Sequence, residues 1–208
     1  MNDPRDDLDG LLSPVRDLSL SAVLEELSRA AFHGYDCQTD IGVRDKDGAL
    51  ERTLLLNLPR RYDLRARRQD RTSCIDVVDG RIIGFDPHDL TLDDGTCVRI
   101  RAFKWNDACF RFRTNDARPD WRPVRRWYLE AFQKRFGDNP DFAGTVHSLA
   151  DPIRHLDGRW ELRVDFGSAP VAALGDFLMS LRMVGVRYGI DLGEPTPDAR
   201  ADDETEAG

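Results

Sequence analysis

Histidine, cysteine and clustered carboxylates are the side chains most often recruited for chemistry. The 208-residue chain holds four histidines and four cysteines. His33, His88, His147 and His155 stand far apart, and only His147 and His155 lie close enough for a hairpin to join them. An imidazole pair with no cysteine or suitably spaced carboxylate beside it is a weak metal signature, so these histidines read as core or surface residues. Cys37, Cys74, Cys97 and Cys109 form no C-x-x-C pair and have no histidine at zinc-finger distance. They read as reduced, buried thiols. The chain carries no phosphate loop, no G-x-S-x-G elbow, no H-E-x-x-H and no glycine-rich dinucleotide turn. These residues predict no catalytic group, no metal and no cofactor.

One carboxylate pattern has an enzymatic counterpart. Asp151 followed by Glu161-Leu162-Arg163 on a strand resembles the PD-(D/E)xK nucleases, in which acids bind magnesium and a lysine assists the attacking water. The resemblance implies a metal-dependent nuclease built on Asp151, Glu161 and Asp165. The chain departs from that pattern twice. Arg163 occupies the lysine position and cannot accept a proton, and Asp151 follows Ala150 rather than proline. Glu161, Arg163 and Asp165 alternate onto one strand face, where cross-strand pairing accounts for them. A second likeness is shorter. Trp127-Tyr128-Leu129 is the triplet that names the WYL ligand-sensing domains, where it resembles part of a strand. Here it follows Pro123 in a segment of helical period without matching flanks, and no function is transferred from it.

The denser constellation is basic. In residues 97–103, alternation puts Val98, Ile100 and Ala102 on one face and Cys97, Arg99, Arg101 and Phe103 on the other. In the next strand Phe110 and Phe112 oppose Cys109, Arg111 and Arg113. Matching apolar with apolar predicts Arg101 opposite Arg111 and Arg99 opposite Arg113. A three-residue Asp93-Asp94-Gly95 turn, with Gly95 left-handed, aligns Leu90 with Val98 and Asp89 with Arg99. The face then carries four arginines against one aspartate. Like charges directly opposite cost a few tenths of a kcal/mol, so carboxylates from elsewhere or an anionic partner must balance them. The candidate partner-binding site is Arg99, Arg101, Arg111 and Arg113, with Trp105 as its aromatic contact. Residues 60–71, six arginines against two aspartates, read as a basic loop and a second contact.

The net charge of −8 decides which anion is expected. Residues 1–10 contribute −3 and residues 191–208 contribute −6, leaving +1 for the stretch between them. Nucleic-acid binders show a clear basic excess, so an acidic protein surface is the first expectation and RNA or single-stranded DNA the second. The function read from the sequence is a non-catalytic binding domain, an adaptor, an inhibitor or an immunity-type protein of a bacterial toxin system. No apolar run is long enough for a membrane span and the opening is acidic, so a soluble, cytoplasmic protein is expected.

These residues need elements to hold them. The pattern predicts an α+β fold, an antiparallel meander with packed helices followed by a C-terminal hairpin–helix–strand unit. Residues 1–17 read as a flexible acidic leader, 18–193 as one domain (with possible subunits 18–137 and 140–193), and 194–208 as a disordered acidic tail. Leu20, Val23, Leu24, Leu27 and Ala31 form a helical stripe, closed by Gly34. Residues 35–59 read as a hairpin around Asp47-Gly48, and strands follow from Thr72 to Thr114. On a helical wheel Trp121, Val124, Trp127, Tyr128, Leu129, Ala131, Phe132 and Phe136 cover about 200°, too wide an apolar arc for a recognition helix, so this is a core helix ending at Gly137. Asp157-Gly158 marks a hairpin. Ser168 is expected to cap the next helix, and the strand–helix–strand sequence to pair in parallel.

Overall fold

The computed structural model describes residues 4–134 and 141–194, with side chains from residue 8 onward. The elements are α1 (Pro4–Phe32), β1 (Asp36–Gly42), β2 (Arg61–Arg68), β3 (Arg71–Ile75), β4 (His88–Thr91), β5 (Cys97–Ile100), a 3-10 turn (Trp105–Asp107), β6 (Ala108–Thr114), α2 (Arg122–Gln133), β7 (Ser148–Leu149), β8 (Ile153–Arg154), β9 (Trp160–Asp165), α3 (Ala172–Met183) and β10 (Val186–Gly193). The architecture is α+β. β1, β2 and β3 form an antiparallel meander, and a larger mixed sheet runs β4-β5-β10-β6-β9-β7, with β8 also paired to β9.

The large sheet buries one face. Val98, Ile100, Phe110, Phe112, Leu162, Val164, Ile190 and Leu192 alternate inward along four strands and meet Val124, Trp127 and Tyr128 of α2 and Leu174, Phe177 and Leu178 of α3. Phe177 lies 4.6 Å from both Phe110 and Trp127, ring centre to ring centre, and so ties the two helices to the sheet. Each such side chain contributes about 1.5–3 kcal/mol on leaving water. α2 is the core helix its period predicts: Val124, Trp127, Tyr128, Ala131 and Phe132 are buried, while Arg122, Arg126 and Glu130 face solvent. Arg125 is exposed and sends its Nε to the Leu56 carbonyl, 3.2 Å away, across the rim of the core. Phe136 and Gly137, expected to close this helix, lie outside the described residues, as does the tail beyond Glu194.

Several expectations are corrected. Residues 4–17 are not a loose leader but the first half of α1, with Leu8, Leu12 and Val15 buried in the main core. The second half buries Leu20 and Val23 against Phe142 in a separate cluster. The helix therefore changes its buried face along its length, and no single stripe runs through the sequence. Pro14 removes one backbone bond to exposed Gly10, on the solvent side of the helix. Residues 61–68 are not a loop. Leu64 and Ala66 point inward while Arg65 and Arg67 pair across to Gln38 and Asp36 of β1, so charge hid a period of two. The second arm of the hairpin expected at Asp47-Gly48 is irregular apart from single bridges, Arg44 with Leu50 and Arg52 with Pro59. Finally, β10 pairs in parallel with β5, not with β9, and enters the sheet between β5 and β6.

The two sheets join at a buried polar centre. His147, 1% exposed, places Nε2 2.5 Å from an oxygen of Asp40 on β1. The other Asp40 oxygen accepts hydrogen bonds from the Ser168 hydroxyl (2.8 Å) and the Ala143 backbone N–H (2.5 Å). The carbonyl of His147 accepts from the Arg61 N–H and from the Tyr128 hydroxyl. Ser168 in turn accepts from the N–H groups of Gly144 and Thr145. It does not cap α3, which starts after Val171 without a side-chain cap. Gly167 lies flat against the imidazole at φ +51°, and a Cβ there would fall 2.2 Å from a ring carbon. His155, by contrast, contacts Glu161 at 3.3 Å, so the two histidines serve different carboxylates.

Candidate anion-binding groove

The insertion of β10 rebuilds the arginine face. Asp89 lies opposite Arg99 and Leu90 opposite Val98, the register that the Asp93-Asp94-Gly95 turn predicts, and Gly95 is left-handed at φ +84°. Arg99 and Arg111 are no longer on neighbouring strands. Asp191 of β10 stands between them, in register with both. Across β6, Arg111 faces Glu161 of β9. The row therefore reads Asp89, Arg99, Asp191, Arg111, Glu161, with signs alternating strand by strand, the favourable cross-strand arrangement.

Distances follow the register. Arg99 makes a two-pronged contact with Asp89 at 2.9 and 3.1 Å, which holds the Asp89 carboxyl below its ordinary range. Arg101 lies 3.7 Å from Asp191, and the Nε of Arg111 lies 3.3 Å from Glu161. A second Arg111 nitrogen donates to the Glu194 carbonyl. Arg99, Arg101 and Arg111 are thus each balanced within the fold. Cys109, beneath this row, is buried, and burial together with the Glu161 charge pushes its thiol up to about 12.

One row along, the balance is weaker, since the charge of Asp157 reaches Arg113 only from beyond ion-pair distance. Arg113 lies directly opposite Arg187 of β10. Among the described residues neither guanidinium has a carboxylate oxygen within 4.0 Å. Arg159 closes the same corner, paired with Asp157 at 2.5 Å, and the backbone N–H of Arg159 with that guanidinium holds Asp157 below its ordinary range. Arg113, Arg159 and Arg187, with Arg99, Arg111, Asp191 and Tyr188, line an open groove of about 250 Å³. A β-bulge between Arg187 and Ile190 shapes it. Gly189, at φ +120°, lets the backbone pass the Cys97 carbonyl, which a Cβ would approach to 2.7 Å. Tyr188 is held at φ +62° and turned outward, 86% exposed, with the Arg187 guanidinium 5.4 Å from its ring. An aromatic residue in the left-handed region is strained by about 1–3 kcal/mol, and such positions cluster at binding sites.

Of the residues that the sequence nominates, Arg99, Arg111 and Arg113 line the groove and Arg101 lies beside it. Trp105 does not reach it. That side chain is 1% exposed and packs 4.7 Å from Phe166 inside the core, so its expected role as the aromatic contact is withdrawn. Phe103, expected on the arginine face, is likewise buried. Arg159, Arg187 and Tyr188 were missed. For Arg187 and Tyr188 the signal was the Tyr188-Gly189 step inside an otherwise alternating strand, which marks a bulge. The acids of the nuclease pattern each have a partner of their own. Asp151 accepts from the N–H groups of Leu55 and Leu56, Glu161 holds Arg111 and His155, and Asp165 lies beside His147. No protein-family model, curated protein or solved structure matches this chain.

Proposed function

We propose that the protein is a binding domain that takes an acidic segment of a partner protein into the arginine groove, as an adaptor, inhibitor or immunity-type protein does. The observation that supports this reading most is the Arg113–Arg187 pair, two like charges set opposite each other beside an exposed tyrosine. Guanidinium forks match carboxylates in two-point geometry, and Arg with Tyr is the composition that dominates protein hot spots. A groove of about 250 Å³ is small for a drug-sized ligand and open on one side, which suits a few acidic side chains of a longer segment. No described helix is long and apolar enough to cross a membrane. Four free thiols favour a cytoplasmic setting.

Nucleic acid is the second reading, favoured by one observation. Tyr188 beside Arg187 offers a stacking surface for an unpaired base. Both are tested together by fluorescence anisotropy with a labelled Glu/Asp-rich peptide containing tyrosine and with labelled single-stranded DNA. The peptide is expected to bind wild type and to lose at least about tenfold in affinity to the double variant Arg113→Glu/Arg187→Glu. DNA binding with a steep salt dependence, lost in the same variant, would move the conclusion to nucleic acid. Equal binding by wild type and variant would remove the groove from either role.

A further inference from the structure

The buried centre around His147 has a second side, where the ring faces carboxylates without a well-formed hydrogen bond. Nε2 is engaged by Asp40, but Nδ1, equally buried, makes no hydrogen bond. It faces two carboxylates. An oxygen of Asp63, on β2, is 3.1 Å away, and an oxygen of Asp165, at the end of β9, is 3.9 Å away. Each aspartate is fixed through its other oxygen. Asp63 Oδ2 accepts the Val77 N–H at 2.7 Å, and Asp165 Oδ1 accepts the Gly167 N–H at 2.8 Å. Three potential ligand atoms are left, all within 4.8 Å of one another.

We propose that Asp63, His147 and Asp165 form a binding site for a divalent first-row transition metal, of the Mn²⁺ to Zn²⁺ kind. The donor set selects the class. One imidazole with two carboxylate oxygens suits these ions, whereas calcium and magnesium favour oxygen alone. The surroundings are those of a metal site. A ligating histidine usually gives its other nitrogen to a carboxylate, which fixes ring and tautomer, and Asp40 holds Nε2 in that way. The backbone N–H groups of Val77 and Gly167 play the same part for the two aspartates. Charge points in the same direction. Three carboxylates, Asp40, Asp63 and Asp165, converge on one imidazole, and a dication brings the opposite charge to them. The Asp165 side chain, 15% exposed where the other three are 5% or less, marks the way in. Ligands on such an ion sit about 3–4 Å apart, and the 3.1 and 3.9 Å spacings from Nδ1 to the two carboxylates both fall within that range. A bound ion would bridge β2 to β9 and so lock the meander to the large sheet.

Calorimetric titration of Zn²⁺ and Mn²⁺ into the chelator-treated full chain tests this. One ion per chain is expected, with a saturable rise in Tm. Asp63→Asn and Asp165→Asn should each weaken binding at least about tenfold, and Asp40→Asn should weaken it by about 10–100-fold while leaving all three donors in place. Wild type that binds neither ion overturns the proposal. So do folded Asp63→Asn and Asp165→Asn proteins that bind as wild type does, since the ion would then sit elsewhere. If neither variant folds, the imidazole nitrogen-15 spectrum of the wild type decides. A Zn²⁺-dependent shift of Nδ1 on one buried histidine supports the site, and an unmoved His147 refutes it.

Discussion

The arginine groove and the His147 centre are opposite electrostatic cases within one fold. The groove holds more positive charge than its neighbours cancel, but it lies in water, so the imbalance costs tenths of a kcal/mol and stays available to a partner. The centre gathers Asp40, Asp63 and Asp165 about one imidazole away from water, where each uncompensated charge costs several kcal/mol. Desolvation, followed by the charge of Asp63, pushes Asp165 up to about 7 against the opposing pull of His147. The contrast shows that a residue count does not weigh charge. Five arginines around the open groove cost less than three carboxylates around a buried ring.

Substitutions break or sharpen this contrast, and the largest effect belongs to the centre. Gly167→Ala drives a methyl into the His147 ring at a left-handed φ and is expected to cost about 4 kcal/mol or more, read from the urea midpoint. Tolerance of alanine would show that the centre is looser than its geometry. Asp40→Ala strips Nε2, the Ser168 hydroxyl and the Ala143 N–H of their acceptor and should cost about 3 kcal/mol in the same assay.

The groove should respond with the opposite sign. Arg113→Glu places a carboxylate opposite Arg187 and is expected to raise stability by a few tenths of a kcal/mol while anion binding falls. A loss of stability would mean that Arg113 is already neutralised. The smallest effect is chemical. At pH 8 Cys109, with its thiol pushed up to about 12, carries almost no thiolate and should resist alkylation until the chain unfolds. Exposed Cys74 should react at once, as mass spectrometry of the folded protein would show.

What the sequence made legible follows from range. The turn at Asp93-Asp94-Gly95 sits beside the strands it joins, and it fixed Asp89 on Arg99 because both lie within one hairpin. α2 announced itself through a period that repeats within four residues. The hairpin at Asp157-Gly158 is local too. The groove was half visible. Arg99, Arg111 and Arg113 alternate correctly, but their partner Asp191 arrives from the far end of the chain, and no alternation pattern says which strand lies next to which. The centre was invisible, because His147 and Asp40 are 107 residues apart and neither has a distinctive neighbour. The first half of α1 escapes a pattern search because its buried face turns between Val15 and Leu20.

The strand order β5-β10-β6 also governs how the protein is made. Until residues 186–193 leave the ribosome, β5 and β6 have no shared neighbour. Each presents an open row of backbone donors and acceptors flanked by Val98, Ile100, Phe110 and Phe112. The large sheet can close only once β10 is made, by a pairing that joins residues as far apart as Val98 and Ile190, and such long-range closures are slow. Folding of this protein is therefore a race in which the nascent edges must be kept from pairing with other chains until their own last strand arrives.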